Sequence, residues 1–283
     1  MIHCFQKENT GFTLIEISIV LVIIGLIVGG ILTGQDLIKS ATVRAQISQI
    51  EKYNTAINTF RNKYGGIPGD LAKTQASQFG FDVAGCDGST GKRDGDGLVV
   101  GYSGGTYVLQ YGEATVFWED LSQAGLINGS YPSVAGSFSN CGITASDWTL
   151  TPGTTYIGNY FPEAKIGGGN FIYVYKSDTS TGGIDNANWY GISAVSSVTT
   201  IGGMASAGAI SVLQAYNIDK KVDDGYPNRG FIRDLYLSSW WISKANAQAS
   251  DSATSCYNTT ANTYSVGING GNGLNCSLSI RFQ

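Results

Sequence analysis

Residues 12–32 read FTLIEISIVLVIIGLIVGGIL, a run of 21 residues in which Glu16 is the single charge. An apolar helix of about 20 residues spans the hydrocarbon of a bilayer. The run is too long for the apolar region of a secretory signal peptide, and no small-x-small cleavage site follows its far end. The segment before it, MIHCFQKENTG, is short and polar. Lys7 on one side and Lys39 and Arg44 on the other leave orientation undecided by positive charge. Glu16 is the anomaly. A carboxylate within a membrane helix costs about 2.5–3.5 kcal/mol on insertion scales, so it is kept for a partner and a function.

Beyond residue 32 the pattern becomes amphipathic. Val43, Ile47, Ile50, Ile57, Phe60 and Tyr64, with Tyr53 filling the one wide gap, recur on a single helical face. No proline occurs from residue 12 to residue 64, and Gly65-Gly66 followed by Pro68 ends the pattern. One helix over residues 12–64 is expected, about 80 Å long at 1.5 Å per residue. Its first half is apolar all round, and its second half has one face to pack on a globular head. Gly25, Gly29, Gly30 and Gly34 form two overlapping small-xxx-small spacings, which let helices approach closely in lipid. Each also weakens an exposed helix by about 0.8–1.0 kcal/mol, so the helix either continues through them or melts there.

Residues 65–283 supply the head. Charged residues are only 13% of the chain and glycine supplies 39 of 283 positions, which describes a loop-rich fold held by Tyr, Trp, Ser, Thr and Gly. The net charge of −4 gives no global attraction for nucleic acid or an anionic surface. Residues 112–124 read as a short helix with Gly125 at its end. Residues 171–176 and 189–195 are aromatic and β-branched runs suited to antiparallel strands. Residues 211–222 read as a helix opened by a Ser211/Gln214 capping box. The tail around YSVGINGGNGLN reads as a hairpin enclosed by Cys256 and Cys276. The fold class is α+β: a long N-terminal helix packed on a Gly-rich head with an antiparallel sheet.

The only histidine is His3. If the segment before Phe12 is removed, Ser-His-Asp and Cys-His nucleophilic sites and His-ligated zinc are excluded. Cys4 leaves with the same segment, and Cys86, Cys141, Cys256 and Cys276 remain, outside any CxxC spacing. Two disulfides in an oxidising compartment follow, Cys86–Cys141 and Cys256–Cys276 by proximity in sequence, among three possible pairings. Two acidic clusters are candidate metal ligands: Asp94 and Asp96 in DGDGL, and Asp219, Asp223 and Asp224 beside Gly225, the second preferred because Asp219 and Asp223 sit four apart and can share a helix face. The first is not an EF-hand, because Leu98 and Gly105 stand at the fifth and twelfth positions, where ligands are required. Solvated turn carboxylates are the bland reading of both. Glu119 and Asp120, adjacent on a helix, point apart and do not make a catalytic pair.

The polar leader, Gly11, Phe12, Glu16 and the apolar run together resemble the prepilin N-terminus of type IV pilins and type II secretion pseudopilins. The runs FWEDLSQAGLINGSY and AYNIDKKVDDGYPNRG look like segments of uncharacterised bacterial prepilin-type proteins. The resemblance implies a leader, 1–11, removed by a prepilin peptidase after Gly11, with methylation of the new amino group on Phe12. Glu16 becomes the fifth residue of the mature chain, and the nearest cation for it in a stacked filament is a neighbouring Phe12 amine. The resemblance further implies insertion in the bacterial inner membrane, a periplasmic or extracellular head and partnership with other pilin or pseudopilin subunits. Many pilins carry a proline where this chain has Thr33, and the head is longer than that of ordinary major pilins. No nucleic-acid partner, enzymatic activity or organic cofactor is implied. Calcium is the one ligand the resemblance suggests, since major pseudopilins hold it in a loop of the head. Two roles stay open: a structural subunit, or a minor pilin or adhesin whose head binds a surface or ligand.

Overall fold

The computed structural model describes residues 12–101, 112–131, 157–178, 183–198, 203–239 and 241–282. By contacts it divides into two compact units, Met1–Ala41 and Thr42–Gln283. One helix, α1 (Leu14–Tyr64), runs through both. It is unbroken at Gly25, Gly29, Gly30 and Gly34, so in the single chain the helix continues rather than melts. In the first unit every side chain from residue 12 to residue 33 is exposed.

In the second unit α1 buries Val43, Ile50, Tyr53, Ile57 and Phe60, with Ala56 and two glutamines, Gln46 and Gln49. Gly65 ends the helix in the left-handed region, at φ 84°. Two short helices follow, α2 (Lys73–Phe79) and α3 (Glu113–Gln123). The sheet is built from β1 (Asn170–Ser177), β2 (Ala187–Val198), β3 (Met204–Ala207), β4 (Ile232–Arg233) and β10 (Leu278–Phe282). Between β3 and β4 lies α4 (Val212–Val222), opened by the Ser211/Gln214 capping box that the sequence shows.

β2 is the spine of this antiparallel sheet. It pairs with β1 along all eight residues of that strand, from Asn170↔Ala194 to Ser177↔Ala187. Its first half pairs with β10 on the other side, and its second half with β3. β10 carries β4 at the far edge. β1 and β2 are buried almost continuously, so both faces of the sheet are covered. On one face Tyr190 stacks on Phe282 and lies beside Tyr53 and Trp118, and its hydroxyl reaches Asn54 of α1 at 3.2 Å. On the other lies a hairpin of β5 (Leu235–Ser238) and β6 (Trp241–Lys244), where the Leu237 N–H donates to the Tyr173 hydroxyl at 3.0 Å. Gly191 faces Tyr173 across the β1–β2 pair, and a Cβ there would overlap the tyrosine ring. Only glycine fits.

The tail differs from the expected hairpin. β7 (Ala247–Gln248), β8 (Tyr257–Asn258) and β9 (Thr263–Tyr264) make a separate three-stranded sheet. The run YSVGINGGNGLN continues from β9 into a 3-10 turn at Ile268–Gly271 instead of pairing with itself. Four glycines and three asparagines in that run favour turns over strand pairing.

Candidate functional site

The chemistry of the N-terminus starts from one turn of helix. Thr13 precedes the first helical residue, and Glu16 lies three positions on. The Glu16 carboxylate accepts from the Thr13 backbone N–H at 2.8 Å and from its hydroxyl at 2.8 Å. The Thr13 hydroxyl oxygen accepts in turn from the Glu16 N–H at 3.3 Å. This is a capping box, which satisfies two backbone donors that a helix start leaves open. The T-x-x-E spacing before an apolar run carries that signal, and the expectation built on Glu16 alone missed Thr13. Phe12 is 84% exposed beside this box, and Gly11 lies outside the described residues.

From residue 12 to residue 33, no side chain of the helix is covered by the other described residues. Its most apolar 18-residue window has a mean hydropathy of 2.8, and none of it is buried. Its polar groups are turned back on the helix: Ser18 Oγ donates to the Ile15 carbonyl at 2.8 Å and Thr33 Oγ1 to the Gly29 carbonyl at 3.0 Å. A Cβ added at Gly25, Gly29, Gly30 or Gly34 would meet no atom within 4 Å. Among the described residues, the four glycines therefore make room for nothing.

In the head, Asp94 and Asp96 are joined by a residue that sequence reasoning passed over, Asp70. One carboxylate oxygen from each lies within 4.8 Å of the others. Asp70 is buried and accepts from the N–H groups of Gly95 at 2.9 Å and Gly97 at 2.6 Å, so it shapes the loop. Asp94 and Asp96 each accept from the N–H two residues on, at 3.2 and 2.8 Å. Beside them the buried Glu113 gathers the N–H groups of Arg93 and Val100 at 2.8 and 2.9 Å. Burial pushes the Asp70 carboxyl up to about 8, aided by Asp94, against the pull of the Gly97 and Gly95 N–H groups. Burial, and then the neighbouring Asp70, push Glu113 up to about 9. The one buried cation nearby, Arg93, is turned to Asp120, with Nη1–Oδ2 at 3.0 Å and Nη2–Oδ1 at 2.6 Å.

Asp219, Asp223 and Asp224 also converge within 4.8 Å. Each is already committed. Asp219 accepts from the Gly225 N–H at 2.9 Å and from the Tyr264 hydroxyl at 2.8 Å. Asp223 accepts from the N–H groups of Phe231 and Ile232, and Gly230 leaves it room, since a Cβ there would overlap the carboxylate. Asp224 pairs with Arg229 at 2.9 Å. Burial pushes Asp219 up to about 7, with Asp224 and Asp223 adding to it. Of the carboxylates considered for acid–base work, Asp120 is locked to Arg93.

Cys256 and Cys276 are joined in a disulfide and fully buried, with Cα atoms 4.9 Å apart. Cys86 is also disulfide-bonded; its pairing with Cys141 falls outside the described residues.

Residues 7–32 match the family model described as the prokaryotic N-terminal methylation motif, which is the type IV pilin-like prepilin signal. No curated protein and no solved structure matches the chain. The motif and the apolar helix behind it fit a type IV pilin-like protein with a membrane anchor. The family of the motif is structural rather than enzymatic.

Proposed function

We propose that this chain is a structural subunit of a type IV pilus or type II secretion pseudopilus. It is inserted in the inner membrane with its head in the periplasm, cleaved after Gly11 by a prepilin peptidase and methylated at Phe12. It then enters the filament with other pilin or pseudopilin subunits through α1. The observation that carries this reading is the pairing of the methylation motif with an apolar helix wholly exposed from residue 12 to residue 33. Lipid covers such a surface before assembly, and neighbouring helices cover it afterwards. N-terminal mass spectrometry of membrane-extracted protein should find a methylated Phe12 as the first residue. Intact Met1 in cells with an active prepilin peptidase would overturn the reading.

The second reading, a minor pilin whose head binds a ligand, draws on a groove of about 900 Å³ between α1 and the loops after α3 and before β1. Gln49, Lys52, Tyr53, Tyr131, Glu163 and Lys165 line it, a mixture of aromatic and charged groups suited to a polar ligand. Abundance separates the two: a major subunit dominates purified filaments, and a minor one is sparse or sits at the tip.

Calcium in the head belongs to the same proposal, and the geometry supports Asp70, Asp94 and Asp96 over Asp219, Asp223 and Asp224. In the second cluster Arg229 already supplies a positive partner. In the first, three carboxylates and Glu113 crowd together while Arg93 serves Asp120, and calcium's preference for six to eight oxygens would draw loop carbonyls and water to them. The midpoint of thermal unfolding should rise with millimolar calcium and fall with chelator. An unchanged midpoint returns these aspartates to the role of turn formers.

A further inference from the structure

Outside both acidic clusters lies one buried carboxyl that none of these roles uses. Asp234 stands between β4 and β5 and is 1% exposed. Its Oδ1 accepts from the Ser277 N–H at 3.0 Å and from the Ser277 hydroxyl at 3.3 Å. The Ala245 backbone N–H also bears on the carboxyl, and among the described residues its Oδ2 has no close hydrogen-bond partner. A carboxylate oxygen of Asp234 and the sulfurs of Cys256 and Cys276 all lie within 4.8 Å of one another. A disulfide has no proton to offer a carboxylate, whereas a thiol does. The carboxyl is thus placed where the dithiol form would bring an S–H donor to it.

We propose that Asp234 is the proton acceptor for closure of the Cys256–Cys276 bond. Closure begins from a mixed disulfide between one of these cysteines and an external thiol, left by a small-molecule or protein disulfide of the oxidising compartment. The thiol of the second cysteine gives its proton to the Asp234 carboxylate as its sulfur attacks the first cysteine's sulfur. The new S–S bond forms, the mixed S–S bond breaks, and the external sulfur leaves as a thiolate that takes a proton from water. Asp234 is left as the neutral acid. Burial, the largest influence on it, holds that carboxyl well above the usual carboxylate range once the tail is seated, so the transferred proton stays. Both cysteines are fully buried in the finished head. The external group must therefore depart as the loop between them settles against Asp234, which couples the last covalent step to the last packing step.

The test uses the full chain in detergent micelles, reduced and then reoxidised with oxidised glutathione, with each disulfide followed by alkylation and peptide mass. In Asp234→Asn the closure of Cys256–Cys276 at pH 7 should slow at least tenfold, in line with what a positioned base contributes. Closure of the Cys86 disulfide in the same sample should keep its rate. Equal rates in variant and wild type would overturn the proposal, and so would equal slowing of both disulfides. If the variant fails to fold, the wild-type pH profile decides. Attack limited by free thiolate rises about tenfold per pH unit below the ordinary thiol value near 8.5. An internal acceptor flattens that rise for Cys256–Cys276 alone. A tenfold rise per unit at this pair would refute the assignment.

Discussion

Asp120→Asn is the sharpest perturbation the head offers. Arg93 and Asp120 are both completely buried, and the carboxylate holds the guanidinium at 3.0 and 2.6 Å while accepting the Gly69 N–H at 2.8 Å. An asparagine has one acceptor oxygen for these three donors, and its amide hydrogens face either the guanidinium or Gly69. The charge on Arg93 then lacks a counter-ion in the core. Breaking a buried pair from one side costs about 3–5 kcal/mol, because the remaining ion stays desolvated. Arg93 also sits in the left-handed region at φ 62°, fixed there by its N–H to Glu113 and its Nε–H to the Asp82 carbonyl. Loosening its side chain therefore releases the loop that carries Asp94 and Asp96. For a unit of this size each kcal/mol moves the midpoint by about 2–4 °C, so a fall of about 6–20 °C is expected. Calorimetry of the full chain in detergent reads it directly, and Arg93→Met with the double variant completes a cycle. Removing both charges should recover much of the loss. A single variant within 2 °C of wild type (a threshold below the roughly 2–4 °C per kcal/mol scale), or strictly additive effects, would refute the account of this pair.

Three further outcomes are expected. Asp70, Glu113 and Asp219 have ordinary values of 3.8, 4.5 and 3.8 and are raised in the fold to about 8, 9 and 7, so the folded head binds more protons than the unfolded chain between those limits. Their contribution is full below about pH 4 and drains away as pH rises toward 7–9, so calcium-free thermal midpoints should fall from pH 5 to pH 8, and a rise would contradict the burial argument. Glu16→Ala should leave membrane insertion and cleavage largely intact but reduce filament incorporation, since losing one partner of a buried pair costs on the order of 3–5 kcal/mol; incorporation at the wild-type level would show that no such pair forms. Gly191→Ala should destabilise the head by about 1–3 kcal/mol through overpacking, because its new methyl would overlap the Tyr173 ring, and an unchanged denaturant midpoint would show that the ring moves freely aside.

How far the sequence can be read depends on which solvent each residue answers to. Lipid imposes length and apolar composition, so residues 12–32 declare an anchor, and the alternation of apolar positions after Val43 declares a packed face. The T-x-x-E box at Thr13 and Glu16 is equally local, yet a membrane carboxylate invites a search for a distant partner and the near one was passed over. The head is harder because its polar residues work at long range. Gln46 accepts from the Ile166 N–H at 3.0 Å, and Gln49 accepts from the Lys165 N–H at 2.9 Å and donates to the Glu163 carbonyl at 2.9 Å. Neither belongs to the apolar pattern of α1, and both fasten a loop more than a hundred residues away. Arg93 with Asp120, and Asp70 with Glu113, break the rule that charge stays outside, and only the fold reveals their partners. The strands declare themselves as β-branched and aromatic runs, but that β10 lies beside β2 is a fact of topology that no local pattern contains.

The glycines of α1 tie these two kinds of legibility together. Glycine in an exposed helix costs about 0.8–1.0 kcal/mol relative to alanine, and four of them lie between Gly25 and Gly34. Among the described residues nothing offsets that cost, since a methyl at any of the four would meet no atom within 4 Å. Two glycines of the head are different: Gly191 has a tyrosine ring against it and Gly230 a carboxylate. A residue that weakens its own helix and frees no space in its own fold is explained by something outside the chain. Close approach of a second helix in a lipid-like setting is the interaction that small residues favour and larger ones obstruct. The exposed apolar surface from residue 12 to residue 33 argues for cover, and under the function proposed above the glycines favour cover by helices near enough to touch backbone over lipid alone.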